Sequence, residues 1–510
     1  MDFELRKQKI LSDELCQELS AQQNIETSIT LPDYCGDIKK ILRCTFRPGI
    51  ANLSLSGETI SATGKADISL IYVNDSDKID CYESQLDLSV ACTAKDLPEN
   101  PVFTAKAKTN YVNCRATSQR KISVEGNIAV LFKVYCRKEN SLVLSAEGKG
   151  VQCRERQVSY ENLICRKEKV FDLGETAKVP QGKSAVGKIL NVSARATLQS
   201  EKAVADKLLI KGDLYTEVLY LSENEEGKTE CLTHSMPISQ IVDMPGIDEK
   251  SLCNVTLGVR QIAVQRKADS SSQGALLEIA AKCSAMVRCS NVVSVNVSDD
   301  CYSTGYDLQS DYTIQEFACP VFSAGEQKTS LCTADMPSEV SRVLHIWCSN
   351  LESKASAKAD KVKIGCRASL CILYLDSKNT PCFVEKNADY DINYQLKDSY
   401  ENLRCESDLQ IREIEWKITA KDKLELQIKT GINLTVMSCE SIRALKDIKI
   451  LTQKKNADDA ALTLYFGCEN EKLWDIAKKY NTTVTAIQKE NAINGDVTEK
   501  DGMLLIPCVG

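Results

Sequence analysis

Apolar and polar residues alternate along most of the chain before residue 450. The alternation is clear in Ile68, Leu70 and Tyr72 and again in the run 366–374. A period of two places every second side chain on the same face, so these runs predict strands that are buried on one face. Polar turn residues follow such runs, as at 74–77, and they add the prediction of β-hairpins.

The same landmarks occur three times along the chain, and the second set follows the first at a constant offset. In the order proline, leucine, glycine and tyrosine, the landmarks are Pro32, Leu42, Gly64 and Tyr72, then Pro180, Leu190, Gly212 and Tyr220, then Pro337, Leu344, Gly365 and Tyr374. Preserved order at four kinds of position indicates an internal repeat. We therefore predict three repeated, mostly-β antiparallel modules, at 26–150, 165–295 and 325–445, each large enough for its own core.

The segments outside these modules lead to separate predictions. Leucine and isoleucine residues are spread among charged residues in 1–25, which predicts an N-terminal helical segment without the apolar core of a signal peptide. We therefore expect a cytoplasmic protein. The most apolar run, 128–136, is too short to cross a bilayer and contains Lys133, so no membrane span is expected. Residues 446–460 are predicted to be a linker.

The last fifty residues follow a different period. One apolar stripe has helical spacing and consists of Leu473, Ile476, Ala477 and Tyr480. A second stripe begins at Val484, and short alternating runs at 463–467 and 503–506 flank the two helices as strands. The pattern predicts a C-terminal α+β domain at 461–510 with the element order βααβ.

This order of residues and elements resembles a LysM module, a binding domain. LysM modules that hold peptidoglycan or chitin usually carry Gly-Asp before the first helix, whereas this chain has Asn470, Glu471 and Lys472 there. Asparagine tolerates a left-handed backbone, so the turn is expected to persist while charged side chains crowd the sugar rim. The expected partner-binding rim consists of Asn470, Glu471, Lys472, Trp474, Asn491 and Ile493.

Trp474 leaves two alternatives open. It lies beside the apolar stripe of the first helix, so it can pack at the edge of a small core. It can also be a partly exposed anchor for a protein partner, because tryptophan dominates the binding energy of many interfaces.

Three β modules followed by one LysM module resemble the SipL-type spore-coat morphogenesis proteins, whose repeated unit is called the SPOCS domain. The segment 31–42 is the most characteristic piece. The resemblance implies a non-enzymatic adaptor made in the mother cell. It would tether the coat to the forespore surface through LysM-mediated binding to a coat-basement morphogenetic ATPase. The alternative is a LysM protein that binds peptidoglycan of the cell wall or the spore cortex.

The composition of the chain argues against several classes of function. The net charge of −7 offers no electrostatic footprint for nucleic acid. The two histidines, His234 and His345, leave little from which to build a histidine-based triad or a metal cage. Gly182-Lys183-Ser184 looks like the end of a P-loop, but Ala177 stands where that loop needs glycine. We expect no enzymatic activity, no cofactor and no metal.

The 24 cysteines are spread singly, without a Cys-x-x-Cys motif. Such spacing does not predict a zinc ribbon. In a reducing cytoplasm most of them are expected to be small buried hydrophobic residues and not disulfides.

Overall fold

The computed structural model describes residues 3–97, 101–225, 227–267, 276–454 and 462–508. Strands make up nearly all of the chain before residue 454 and fall into three successive units. Unit 1 consists of β1 (Glu4–Thr30), β2 (Ile38–Ser56), β3 (Thr59–Asn74), β4 (Ile79–Thr93), β5 (Val102–Ser118) and β6 (Lys121–Glu147). Unit 2 consists of β7 (Val151–Lys178), β8 (Val186–Val204), β9 (Lys207–Ser222), β10 (Thr229–Asp243), β11 (Leu252–Lys267) and β12 (Leu276–Ser303).

Unit 3 consists of β13 (Tyr306–Asp335), β14 (Val340–Asp376), β15 (Pro381–Tyr400), β16 (Leu403–Ala420) and β17 (Lys423–Gln453). Its long strand β14 passes through a left-handed residue, Ala359, where φ is 57°. Beyond this point the chain runs back along itself, since the hydroxyl of Ser349 donates to the carbonyl of Ser369 over 3.1 Å. The two arms of β14 therefore occupy the places that β2 and β3 occupy in unit 1.

Each unit is built from two antiparallel sheets, and the strand order is the same in all three when the two arms of β14 are counted separately. The orders are β1-β6-β5 with β2-β3-β4, β7-β12-β11 with β8-β9-β10, and β13-β17-β16 with β14-β15. The two sheets of a unit pack their apolar faces together into one core. The hairpins predicted after each landmark tyrosine are β3-β4, β9-β10 and β14-β15.

A buried tyrosine lies at the same place in each unit. Tyr72, Tyr220 and Tyr374 are almost completely buried. In each case the hydroxyl bonds to a residue 36 positions earlier. The partners are the Gly36 carbonyl at 3.1 Å, the Ser184 carbonyl at 3.0 Å and the Ser338 hydroxyl at 2.8 Å. The tyrosine thus ties the middle strand to the chain that enters the sheet.

The three units form a closed triangle of contacts. Strand β4 contacts β8, β10 contacts β14, and β15 contacts β2. Side chains from all three units share one small apolar core, which includes Ile71, Leu219 and Leu373. An ion pair crosses the first of these contacts, where Nζ of Lys188 lies 2.6 Å from Oδ1 of the buried Asp80.

The long outer strands continue beyond the unit cores and form what we call the stem, made of β1, β6, β7, β12, β13 and β17. These strands pair in twos out to the register pairs Glu4↔Glu147, Val151↔Ser303 and Tyr306↔Gln453. Apolar side chains from all three units fill the stem in two further clusters. The stem therefore joins the units through a shared core and not through linkers.

The prediction of an N-terminal helical segment at 1–25 is wrong. Strand β1 pairs with β6 along its whole length, from Glu4↔Glu147 to Thr30↔Lys121. Its apolar residues Leu19, Ile25 and Ile29 stand at odd positions and face the core of unit 1. This long-range pairing overrides the helix propensity of a charged, leucine-containing segment.

The sheets also extend past the predicted module bounds. Residues 151–164, 296–303 and 306–324, which lie between the predicted modules 26–150, 165–295 and 325–445, belong to strands of the stem. Of the predicted linker 446–460, residues 446–453 are the end of β17. Residues 455–460 of that predicted linker lie outside the described part of the chain.

The cysteines include one disulfide, which is an exception to the expectation of thiols that do not pair. It joins Cys16 of β1 to Cys136 of β6, which are neighbours across the sheet. The paired strands bring the two Cα atoms to 5.9 Å, within the usual range for a disulfide. The other 22 cysteines are not joined in disulfides.

The C-terminal domain has the predicted element order. It consists of β18 (Leu462–Gly467), α1 (Leu473–Lys479), α2 (Val484–Asn491) and β19 (Gly502–Pro507). The two strands are antiparallel, and the helices bury Leu473, Ile476 and Ile487 against them. Neither helix in the described part of the chain has the length and apolar content needed to cross a bilayer.

Candidate docking site on the C-terminal domain

Helix α1 lies against the end of the stem. The indole nitrogen of Trp474 donates a hydrogen bond to Oδ2 of Asp300 on β12 over 2.8 Å. The ring of Trp474 meets the ring of Tyr302 edge to face, with centroids 5.0 Å apart. On the same side, the guanidinium carbon of Arg154 lies 5.8 Å from the centroid of the Trp474 ring. Trp474 is therefore held by three residues of unit 2.

Asp300 is the electrostatic centre of this contact. Nζ of Lys478, one turn along α1 from Trp474, lies 2.7 Å from Oδ1 of Asp300. Burial alone would raise the pKa of the Asp300 carboxyl. The hydrogen bonds from Lys478 and Trp474 outweigh it, so the pKa is lowered. The carboxylate is consequently charged at neutral pH and binds α1 by two charge-assisted contacts.

Tyr302 makes the core of the C-terminal domain continuous with the stem. Its side chain is 5% exposed and belongs to the same apolar cluster as Leu473, Ile476 and Ile487. The hydroxyl donates to the backbone carbonyl of Thr482 over 2.7 Å. Burial, followed by the charge of the neighbouring carboxylate Asp300, raises the pKa of Tyr302 to about 12, so the phenol keeps its proton. Tyr302 of unit 2 is thus part of the core of the C-terminal domain.

The first half of the predicted rim forms the turn that enters α1. Asn470 has a φ of 62°, so the expected left-handed turn is present. Glu471 is turned inward, where it accepts a hydrogen bond from the Tyr465 hydroxyl. Its backbone nitrogen donates to the Thr498 hydroxyl over 2.9 Å. Lys472 is exposed and precedes the first residue of the helix.

The second half of the predicted rim, Asn491 and Ile493, lies at the end of α2 and makes contacts within the domain. The side-chain amide of Asn491 donates to the carbonyls of Ile487 and Leu505 over 2.9 and 2.7 Å. Its carbonyl oxygen accepts from the Leu505 nitrogen over 2.7 Å, so Asn491 fastens α2 to β19. Ile493 is half-buried at the edge of the core. Partner binding by these two residues stays a prediction.

The two alternatives for Trp474 take a specific form in the structure. The side chain is half-buried at the edge of the core, as the first alternative states. The residues that cover it belong to unit 2 and not to the C-terminal domain itself. Its role as an anchor for another protein stays a prediction, and such binding would require the contact with Asp300 to open.

The C-terminal domain has an exposed apolar surface that the sequence pattern did not predict. We call it the hairpin face, and it consists of Leu462, Leu464, Phe466 and Met503, which are 45%, 64%, 70% and 67% exposed. The sequence does contain a pattern typical of an apolar sheet face, because apolar residues alternate through β18. Alternation alone did not say which of the two faces the helices would cover, since both carry large apolar side chains such as Phe466 and Tyr465.

A cavity of about 730 Å³ lies between units 2 and 3. Burial lowers the pKa of its one histidine, His345, against the opposing charge of Glu217. Burial also raises the pKa of the lining thiol Cys231 to about 12, so this thiol is not a nucleophile at neutral pH. Within the described residues no group of three or more acidic, histidine or cysteine side chains could hold a metal ion.

Comparison with known proteins gives one informative match. Residues 185–267 match the family model described as SipL, SPOCS domain. This range comprises β8 to β11 of unit 2 and includes the landmarks Leu190, Gly212 and Tyr220. No curated protein and no solved structure matches the chain. The match shows that this part of unit 2 is similar to a SPOCS domain.

Proposed function

We propose that this protein is a non-enzymatic adaptor in endospore coat assembly. It would consist of three SPOCS units and a C-terminal LysM domain. The observation that carries the proposal is the match of residues 185–267 to the SPOCS domain of SipL. The strand order of the matched range, β8-β9-β10, recurs as β2-β3-β4 in unit 1 and as the two arms of β14 with β15 in unit 3, which supports treating all three as copies of one domain.

In this proposal the three units form a rigid body that presents the C-terminal domain. A shared core rather than flexible linkers joins the units, so the position of the docked domain is defined relative to the stem. Such an arrangement suits a tether that holds two layers at a fixed distance. The partner that the resemblance implies is a coat-basement morphogenetic ATPase, met in the mother-cell cytoplasm at the forespore surface.

The test is capture of that ATPase, purified from the same organism, by the immobilised full chain. We expect capture by the full chain and loss of capture by a chain that ends at residue 454. The truncated chain is preferable to the isolated domain as a reagent, because the isolated domain would lack Tyr302 from its core. Equal capture by both chains would contradict a role for the C-terminal domain, and no capture by either would contradict the proposed partner.

A peptidoglycan-binding protein of the cell wall or spore cortex is the second candidate. The observation in its favour is the left-handed turn at Asn470, which preserves the backbone shape that sugar-binding LysM modules use there. Its test is co-sedimentation of the full chain with insoluble peptidoglycan. If the full chain sediments and the chain ending at residue 454 stays in solution, this candidate replaces the first.

A further inference from the structure

The hairpin face is the outer surface of a two-stranded sheet whose inner surface the helices already cover. Direct register pairs place Phe466 opposite Met503 and Leu464 opposite Leu505. Residues that face each other across an antiparallel pair point to the same side of the sheet. The four exposed side chains therefore form one continuous apolar strip. Single exposed apolar residues are ordinary on a protein surface, whereas here four of them lie together on one face.

The dimensions of the strip select the kind of occupant. Six residues of strand at about 3.3 Å each give a length of about 20 Å, and two strands give a width of about 10 Å. A face of that size offers about 200 Å², well below the roughly 800 Å² per partner of a stable interface between two folded proteins. One α-helix of about 13 residues has a matching length and a diameter of about 10 Å.

The charged residues at one end of the strip indicate which charge the occupant should carry there. Beyond the pair of Phe466 and Met503 the chain carries Glu469 and Asp501, both exposed. The backbone nitrogen of Glu469 donates to Oδ1 of Asp501 over 2.7 Å, which holds the two residues side by side. The end of the strip near Phe466 therefore carries two exposed carboxylates.

We propose that the hairpin face is the docking surface for an amphipathic helix of a protein partner, with basic residues at the end that lies over Glu469 and Asp501. The apolar stripe of the helix would cover Leu462, Leu464, Phe466 and Met503 and complete a third layer on the sheet. This rests on the proposed function in one respect, that a protein partner binds the C-terminal domain. It leaves Trp474 and its contact with Asp300 undisturbed.

The experiment selects binders of the full chain from a displayed library of helix-forming peptides of about 16 residues. The library carries a fixed apolar stripe and randomised charges at both ends. We expect enriched peptides to carry Lys or Arg at one end and to bind at least tenfold more weakly to Leu464→Glu or Phe466→Glu. The matched control is Leu331→Glu, because Leu331 on β13 is 67% exposed and remote in sequence from the domain. Melting curves of the variants confirm that they remain folded.

A charge swap tests the polarity of the proposal. The double variant Glu469→Lys with Asp501→Lys should lose the basic peptides and select peptides with Asp or Glu at that end. Enrichment of peptides that bind the hairpin variants as well as the natural chain would overturn the proposal, and so would no enrichment at all. Two other results would also overturn it by assigning the face to another occupant. One is a dimer in sedimentation velocity that Phe466→Glu dissociates, and the other is displacement of the peptides by soluble peptidoglycan fragments.

The two proposals can fail separately. Peptide binding that depends on Phe466, with no capture of the coat-basement ATPase, keeps the docking surface and rejects the proposed partner. Capture of the ATPase at equal strength by the natural chain and by Phe466→Glu keeps the proposed function and rejects the hairpin face.

Discussion

Trp474 and Asp300 are 174 residues apart in the sequence and 2.8 Å apart in the structure, measured from Nε1 to Oδ2. This hydrogen bond joins the first helix of the C-terminal domain to the end of the stem. Tyr302 fills the core of the same domain from two residues further along β12. The C-terminal domain is thus attached to unit 2 mainly through the polar contacts of Asp300 and the buried side chain of Tyr302, both on β12.

The polar contact can be measured with a double-mutant cycle between Trp474→Phe and Asp300→Asn. Phenylalanine keeps an aromatic ring against Tyr302 and removes the N–H donor. A hydrogen bond to a charged group contributes about 2 kcal/mol, and we expect a coupling of that order between the two sites. The measurement is hydrogen exchange of the α1 amides, 473–479, in the full chain. Additive effects of the two substitutions would show that the contact contributes nothing in solution.

The charge on Asp300 makes the contact between the C-terminal domain and unit 2 sensitive to acid. The folded-state pKa of Asp300 is lowered below its ordinary value of 3.8. A lowered folded-state pKa gives stabilisation that is complete above the ordinary value and is lost as the pH falls through the lowered one. The difference in α1 protection between the natural chain and Asp300→Asn should therefore be constant from about pH 5 to pH 8 and shrink below about pH 4. A difference that shrinks near pH 6 would identify another group.

The sequence was sufficient for the parts of the fold that depend on local pattern. Alternation located the hairpins, and the helical stripe from Leu473 located α1 to within one residue of the observed bounds. The N-terminal strand was misread because Leu5, Leu11, Leu15 and Leu19 are compatible with either period. The choice between them is made by pairing with β6, more than 100 residues later. Pairing over such a separation leaves no local signal in β1 itself.

The candidate site was predicted in part for the same reason. The turn at Asn470 follows from a local preference of asparagine, and the structure contains it. The side chain of Asn491 makes its hydrogen bonds to Leu505 because of the way α2 packs against β19. The spacing of residues in the sequence does not indicate this packing. The contact of Trp474 with unit 2 depends on the packing of two domains. Sequence patterns report which residues share a face, but not which other surface that face will meet.

The buried tyrosines predict a comparable loss in each unit when the hydroxyl is removed. Tyr72→Phe and Tyr374→Phe each delete one buried hydrogen bond, and each should cost about 1 kcal/mol of local stability. Tyr220→Phe should cost about 2 kcal/mol, since its hydroxyl also lies 3.0 Å from the Glu230 carboxylate. Hydrogen exchange of β3, β9 and β14 measures the three effects separately.

The control for this series is Tyr34→Phe. Tyr34 is 75% exposed, so removal of its hydroxyl should change local stability by less than about 0.5 kcal/mol. Loss of stability in only one unit would contradict an equivalent role for the three tyrosines. Loss spread evenly over all strands by a single substitution would instead show that the shared cores make the three units unfold together.

The disulfide between Cys16 and Cys136 can be tested by thiol counting. Titration of the denatured chain without reductant should find 22 thiols, since the other two of the 24 cysteines are joined. Titration after reduction should find all 24. Cys16→Ser should leave one additional thiol, on Cys136, while Cys508→Ser serves as the control because Cys508 is exposed and free. Recovery of 24 thiols without reduction would place this cysteine pair in the reduced state.

Cys253 and Cys289 should be the next pair to join when a two-electron oxidant is added. They face each other across β11 and β12, and their Sγ atoms are 2.6 Å apart. The hydrogen bond from Cys289 lowers the pKa of Cys253, against the opposing effect of burial, so Cys253 supplies the thiolate. Diamide accepts the two electrons and two protons released as the S–S bond forms. Peptide mapping under mild diamide should recover a Cys253–Cys289 crosslink, and Cys253→Ser should abolish it without changing the yield of Cys16–Cys136. A crosslink that instead joins Cys289 to Cys165, its neighbour on β7, would assign the thiolate to the other side of β12.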